Sequence, residues 1–368
     1  MSEAPRTQGI KYAGSKLKLL PQILSLLEEI NVTTVLDGFA GTTRVSQAFA
    51  KEELQVTACD ISDWSCVLGT CYLKNKEKPE HYTTLIDHLN AIPPREGWFT
   101  QHYGGSVGEE GSAVQSDGKK KPWQIHNTKK LDAIREEIDT LNLPEVEQAV
   151  ALTSLILAMD AVDSTLGHHS AYLKKWSPRS YNRMELKVPQ VFPNSQENSV
   201  LQSDIFNALP EVEVDFAYLD PPYGSNNEKM PPSRVRYASY YHLWTTLIRN
   251  DQPELFGKAG RRKDTSDARA GSVFEEFRRN EAGHFIAVDA IDRLLQQVRA
   301  KYVALSYSSG GRATAAELVE ALKKNGKLIK TLEVDYKKNV MSQMSWTDKW
   351  LRDLETPNRE FIFLIEKG

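Results

Sequence analysis

The feature that most restricts what this chain can fold into lies between residues 33 and 60. There an apolar run, a glycine turn, a helix pattern and a second apolar run follow one another and end on an acid. Thr33-Thr34-Val35-Leu36-Asp37 reads as a short buried strand, because β-branched and aliphatic residues fill it up to its acidic end. Gly38-Phe39-Ala40-Gly41 reads as a tight turn, residues 44–51 as a helix, residues 55–59 as the next strand, and Asp60 closes the unit. Two strands running the same way need a crossover, usually a helix, so the order describes a βαβ unit of the doubly wound type. The expected class is therefore α/β, with a Rossmann-like, doubly wound, mixed sheet.

The rest of the chain supplies further strands and a long helical interruption. Leu19, Leu20, Ile23, Leu26, Leu27 and Ile30 recur at helical spacing and predict one helix over residues 16–30. Strand patterns return at residues 200–202 and 214–219. A helix at 287–299, a strand at 302–307, a helix at 314–325 and strands at 328–336 and 360–366 follow. Between the two sets, helices are expected at 129–141 and 145–164, and a Gly/Ser/Lys-rich stretch over 104–121 reads as a mobile loop. Residues 1–80 and 198–368 are thus expected to form the sheet domain. Residues 81–197 would be a mainly helical insertion and possible recognition lobe, and residues 224–285 a mobile contacting segment.

Composition narrows the function classes. With 368 residues, 40% hydrophobic and 26% charged, the chain is of globular type. Its longest apolar stretch, near residues 152–159, is too short to cross a bilayer, and the polar start lacks a secretory pattern, so a cytoplasmic protein is expected. Cys59, Cys66 and Cys71 are odd in number and lack paired ligand spacing, which predicts reduced thiols and no zinc site. His168 and His169 lack a third ligand at usable spacing, so a loop or phosphate contact is expected there rather than a metal.

Chemistry concentrates at Asp220-Pro221-Pro222-Tyr223, which follows the apolar strand directly. Open α/β sheets bind their ligands at carboxyl ends of strands. A proline-rich turn explains the prolines, but not an acid before them and an aromatic after. An adenine amine is a poor nucleophile because its lone pair is delocalised into the ring. Asp220 can accept one amine hydrogen and the Pro221 carbonyl the other, while two prolines hold that carbonyl in place. Tyr223 would stack on the base, worth ~1–3 kcal/mol, against a few kcal/mol for turning it out of a duplex.

A second group, Asp37, Phe39, Gly41, Asp60 with Ile61, and Asp204 with Ile205, sits at the ends of the other parallel strands. Gly41 would let the backbone approach a cofactor, and Asp60 stands where such folds keep an acid for ribose hydroxyls. Asp204 can reach a cofactor adenine, or simply cap the turn that begins at Ile205. Carboxylates here disfavour a pyrophosphate and suit a sulfonium cation, so S-adenosylmethionine is the expected cofactor. Net charge is −3, but basic clusters occur at Lys119-Lys120-Lys121, at Lys174-Lys175, and from Lys258 through Arg261-Arg262-Lys263. Lys174, Lys175, Lys258, Arg261, Arg262 and Lys263 are the expected phosphate or groove contacts. Tyr237, Tyr240, Tyr241 and Trp244 have helical spacing suited to a core, and of these Tyr237 alone is expected to touch DNA.

Taken in order, these motifs resemble those of adenine-specific DNA methyltransferases. The family includes the Dam-like enzymes and, more closely, the modification methylases of type IIS restriction systems. The resemblance covers most of the chain. It runs from Lys11-Tyr12-Ala13-Gly14-Ser15-Lys16 through Phe39 and Gly41, residues 126–135, residues 163–167 and 171–176, and Asp220 to Tyr223. It continues at Tyr240-Tyr241-His242-Leu243-Trp244, at residues 256–261 and at Leu305-Ser306-Tyr307-Ser308-Ser309-Gly310-Gly311. The chain departs from the family at Thr43, where a second glycine is expected; with Gly41 retained, tolerance is expected. The resemblance implies a methyltransferase sheet, cofactor contacts at Tyr12, Ser15 and Lys16, and a floor beneath a flipped base at residues 305–311. It also implies double-stranded DNA as substrate and pairing with a restriction endonuclease. The acid before the prolines, where serine would suggest cytosine, favours adenine by family pattern. An RNA adenine methyltransferase and a catalytically silent nucleic-acid-binding module are the alternatives.

Overall fold

The computed structural model describes residues 4–224, 236–266, 272–335 and 359–368. Seven strands form one sheet: β1 (Thr34–Asp37), β2 (Gln55–Asp60), β3 (Ser199–Gln202), β4 (Glu213–Leu219), β5 (Arg299–Ser308), β6 (Lys327–Asp335) and β7 (Arg359–Glu366). Their order across the sheet is β6-β7-β5-β4-β1-β2-β3. The first five are mutually parallel, and β7 runs antiparallel between β5 and β6. The α/β class with a mixed, doubly wound sheet is therefore as expected. From β1 the chain winds outward through β2 to β3, then returns to the other side of β1 as β4. The direction switches between β1 and β4, where Leu36 faces Ala217 and Asp37 faces Tyr218. Outside the carboxyl ends at such a point lies a natural crevice.

Period-two alternation along the strands fills both faces of the sheet. Val35, Phe216, Tyr218, Ala304, Ile362 and Leu364 meet Leu20, Ile23 and Phe49 on one side. Leu36, Ala217, Leu219, Val303, Leu305 and Phe363 meet Ile291, Leu294, Leu318 and Leu322 on the other. The helices include α1 (Arg44–Lys51), α2 (Asp63–Leu73), α3 (Ile125–Thr140), α4 (Glu145–Ala161), α5 (Ile286–Gln297) and α6 (Ala315–Asn325). Local chemistry sets their ends; at α6 the Thr314 hydroxyl accepts from the Glu317 amide while the Glu317 carboxylate accepts from the Thr314 amide. Among the described residues no helix is long and apolar enough to cross a membrane.

Two expectations change. Residues 16–30 are not one helix but a 3-10 turn (Lys16–Leu19), a short α-helix (Leu20–Ser25) and another 3-10 turn (Leu27–Glu29). Pro21 lacks the N–H that a continuous helix would need there, and it sits in the first turn, where that loss is tolerated. Residues 104–121 are held rather than loose. Ala113 is fully buried and its amide donates to the Lys174 carbonyl, the Trp176 amide donates to Gly111, and Gly104–Gly105 pairs with Trp123–Gln124. The helical region shares one apolar core with the sheet layer: Trp64, Leu68 and Tyr72 of α2 pack with Leu131, Ile134, Leu155, Ile156 and Trp244.

Candidate active site

A cleft opens at the carboxyl ends of β1 to β4. Strand β1 delivers Asp37 and the turn through Gly41, β2 delivers Asp60 and Ile61, β3 leads to Asp204 and Ile205, and β4 leads to Asp220-Pro221-Pro222-Tyr223. The N-terminal segment adds Tyr12, Ser15 and Lys16, and Phe39 completes the turn wall. Every residue expected for a cofactor or for the reaction thus lines one space.

The glycine turn is shaped by contacts that leave little freedom. Gly38 lies so close to β4 that an added Cβ would meet the Leu219 side chain at 2.8 Å. Gly41 takes φ of +48°, which costs glycine nothing, and its amide donates to Asp60 Oδ2 at 2.8 Å. Thr43 also takes a left-handed conformation, with φ of +58°, and is fully buried. The sequence departs here from the glycine that the resemblance led one to expect. Here the cost, of order 1–3 kcal/mol for a non-glycine residue, is offset by hydrogen bonds of its hydroxyl with the Thr42 carbonyl and the Gln47 amide.

At the reaction motif, Asp220 does not stand alone. Lys16, only 7% exposed, places Nζ 3.0 Å from Asp220 Oδ2 and 3.0 Å from Glu360 Oε1. The Tyr223 hydroxyl contacts Asp220 Oδ1, Glu360 and Lys16. Tyr223 thus turns its polar end inward, and its ring lies 4.8 Å from that of Tyr307. Its carbonyl accepts from the Arg312 amide at 3.0 Å. Burial pushes the Asp220 carboxyl up to about 6, with Lys16 opposing and Glu360 adding to the rise.

Asp37 and Asp60 are also drawn toward the neutral form. Burial raises Asp37 to about 7 against a hydrogen bond from Ser46, with Asp220 and Asp60 adding to the rise. Burial likewise raises Asp60, although its carboxylate accepts from the Gly41 and Ser62 amides. Asp204 accepts from the Phe206 amide and caps the turn beginning at Ile205, while still facing the cleft. A concentration of buried negative charge of this kind favours a cationic occupant.

One wall is aromatic. The Tyr12 ring stacks on Tyr237 at 5.4 Å and on Tyr241 at 4.8 Å, with Trp64 behind. Tyr237 therefore lines the cleft rather than lying with the basic segment. Opposite, Phe39 meets Phe274 edge-on, and Ile61 stands 57% exposed at the rim. Sequence reasoning missed Phe274, Glu275 and Glu360. No local motif marks them. Glu360 was nevertheless readable as an acid at the start of a strand, and an antiparallel strand begins at the carboxyl edge of its parallel neighbours.

The basic residues divide. Lys174, Lys175, Lys258 and Lys263 are exposed, with Lys263 paired to Glu254. Arg261 lays its guanidinium over Phe256. Arg262 corrects the expectation of a DNA contact: it is 2% exposed and clamped by Asp251 and Asp264, which leaves no donor facing outward. His168 and His169 lie in a loop, the first of the two expected settings, but are buried, and burial lowers both, so they pack against Tyr240 and Trp244 rather than facing a phosphate. Among the described residues no group of three acids, histidines or cysteines is placed to hold a metal. Of the expected contacting segment 224–285, residues 225–235 and 267–271 lie outside the described residues.

Comparison with known proteins agrees with this geometry. The chain is 29% identical over 323 residues to the modification methylase StsI of Streptococcus sanguinis, covering 85% of this chain and 46% of that protein. It is 25% identical to the type II methyltransferase M.FokI of Planomicrobium okeanokoites, covering 97% of this chain and 53% of that one. With M.NlaIII of Neisseria lactamica it shares 26% identity over 86% of this chain and 89% of that one. The chain spans about half the length of the first two relatives. The model of the D12 class matches residues 12–275, from Tyr12 on the aromatic wall past Asp220 to Glu275. This chain belongs to the D12 class N6 adenine-specific DNA methyltransferase family.

Proposed function

We propose that the protein transfers a methyl group from S-adenosylmethionine to the 6-amino nitrogen of adenine in double-stranded DNA, on a base turned out of the duplex. The observation that carries this reading is the Asp220 carboxylate at the switch point, inside the cleft that the glycine turn also lines. Site specificity and service beside a restriction endonuclease are part of the proposal. They are supported by the modification methylases and type II methyltransferases among its relatives.

The residues present fit the cofactor. Gly41 offers close backbone approach, Asp60 and Asp204 retain acceptor lone pairs, Ile61 and Phe39 supply apolar faces, and the buried acids suit a positive charge. When bound, S-adenosylmethionine supplies a methyl group already activated by its sulfonium. The protein's task is then positioning and electrostatics. Asp220 in its charged form accepts one amine hydrogen and the Pro221 carbonyl the other, freeing the nitrogen lone pair. Tyr223 must first release Asp220 Oδ1, since the same oxygen receives its hydroxyl; the freed ring then stacks on the base.

The test is methyl incorporation into duplex DNA, RNA and single-stranded DNA, followed by mass spectrometry of the nucleosides. N6-methyladenine from duplex DNA is expected, and D220A should lower the single-turnover rate by roughly 10²–10³-fold. Label appearing on cytosine or only in RNA, or an undiminished rate in D220A, contradicts the reading.

A further inference from the structure

The Tyr223 hydroxyl at the reaction centre has more carboxyl partners than hydrogens. The Tyr223 oxygen lies within hydrogen-bond reach of both Asp220 Oδ1 and Glu360 Oε1, yet a phenol carries one hydrogen. Lys16 bridges the same groups, with Asp220 Oδ2, Glu360 Oε1, the Tyr223 oxygen and the Gly14 carbonyl all within reach of its ammonium. The Tyr223 hydroxyl can therefore serve only one of the two carboxyl groups at a time. Glu360 is 6% exposed, and the Ser306 hydroxyl donates to the same oxygen at 3.1 Å. Two carboxylates around one lysine leave one negative charge in excess in a buried site.

We propose that Glu360, brought in by the antiparallel strand β7, is a positioning residue of the reaction centre. It shares Tyr223 and Lys16 with Asp220, and so governs when Asp220 is free to receive an amine. This rests on the adenine-methylation reading above. Other groups also face Asp220: Lys16 from the N-terminal segment, Asp37 from β1, Tyr218 and Tyr223 from β4 and the loop after it, and Tyr12 and Tyr237 from the aromatic wall. Glu360 differs from the other acids in touching the two groups that touch Asp220. Its charge raises the Asp220 carboxyl, whereas the hydrogen bond from Tyr223 lowers it. The two influences therefore have opposite signs, which a purely structural role for Glu360 does not predict.

The experiment is the pH profile of single-turnover methyl transfer to adenine in duplex DNA, with melting temperature and cofactor affinity measured alongside. Wild type should lose rate as pH falls through about 6, where Asp220 takes up its proton. In E360Q that acid limb should move down by roughly one pH unit, and in Y223F it should move up. An E360Q limb that stays in place, or two limbs that move in the same direction, overturns the proposal. Should E360Q fail to fold, carboxyl-carbon NMR of aspartate-labelled wild type decides, with D220N identifying the resonance. Asp220 should titrate in two steps, as coupled acids do; a single step at the usual aspartate value overturns the coupling. If wild type methylates no adenine but Asp220 still titrates in two steps, the methylation reading fails and the pairing with Glu360 stands.

Discussion

Lys16 shows how one side chain can hold a site together. It is buried between Asp220 and Glu360; burial opposes its charged form, but the two carboxylates outweigh that and raise its pKa. Replacing it with methionine keeps most of the volume but strands two buried carboxylates. K16M should therefore cost about 3–5 kcal/mol by urea denaturation. It should also move the acid limb of methyl transfer upward, because the charge that opposes the rise in Asp220 is gone. A variant that is fully stable with an unshifted limb would show that the ion pairs contribute little. The sequence marked Lys16 only through its family motif, and nothing local paired it with an acid more than three hundred residues away. Asp220 was legible because its meaning is local: a strand, an acid and two prolines.

Among the elements, short periodic strands were read well and surfaces were not. Strands β1 to β7 fell close to their expected bounds because alternation and glycine punctuation act over a few residues. The helix at 16–30 broke where Pro21 outweighed an otherwise regular apolar spacing. Charge was the weakest guide. Arg261 and Arg262 are neighbours in sequence, but β-strand alternation sends them to opposite sides, and Arg262 goes inward to Asp251 and Asp264. This divides a testable pair. K258A with R261A should weaken DNA binding and reduce the steepness of its salt dependence, by about one unit of slope for each phosphate the protein no longer neutralises. R262A should leave the salt slope alone and lower stability by about 3 kcal/mol or more. Titrations at several salt concentrations, with melting curves, separate the two, and a flattened slope in R262A would reverse the assignment.

For the molecule as a whole, the buried acids and the buried histidines pull in opposite directions with pH. Asp37 at about 7 and Glu275 at about 7 hold their protons longer folded than unfolded, so their contribution to stability is lost as pH rises through that value. His242, lowered to about 3, favours folding as pH rises above the value for a free histidine. The ligand-free melting temperature between pH 5 and 7 is therefore a poor reporter, but the increment from a ligand is not. If the cleft takes a sulfonium, the rise in melting temperature with S-adenosylmethionine should grow from pH 6 to pH 8 as Asp37 and Asp220 ionise. With S-adenosylhomocysteine, whose sulfur is uncharged, the increment should stay nearly constant. Equal growth for both ligands would mean that the acids do not sense the sulfonium.

The meeting of Lys16 with Glu360 also bears on how the protein is made. Lys16 precedes all seven described strands in chain order, and Glu360 lies on the last of them. A nascent chain that has already stacked β1 to β5 still lacks one of the two carboxylates that hold the ammonium. The ribosome thus has to reach β7 before that pairing can be completed.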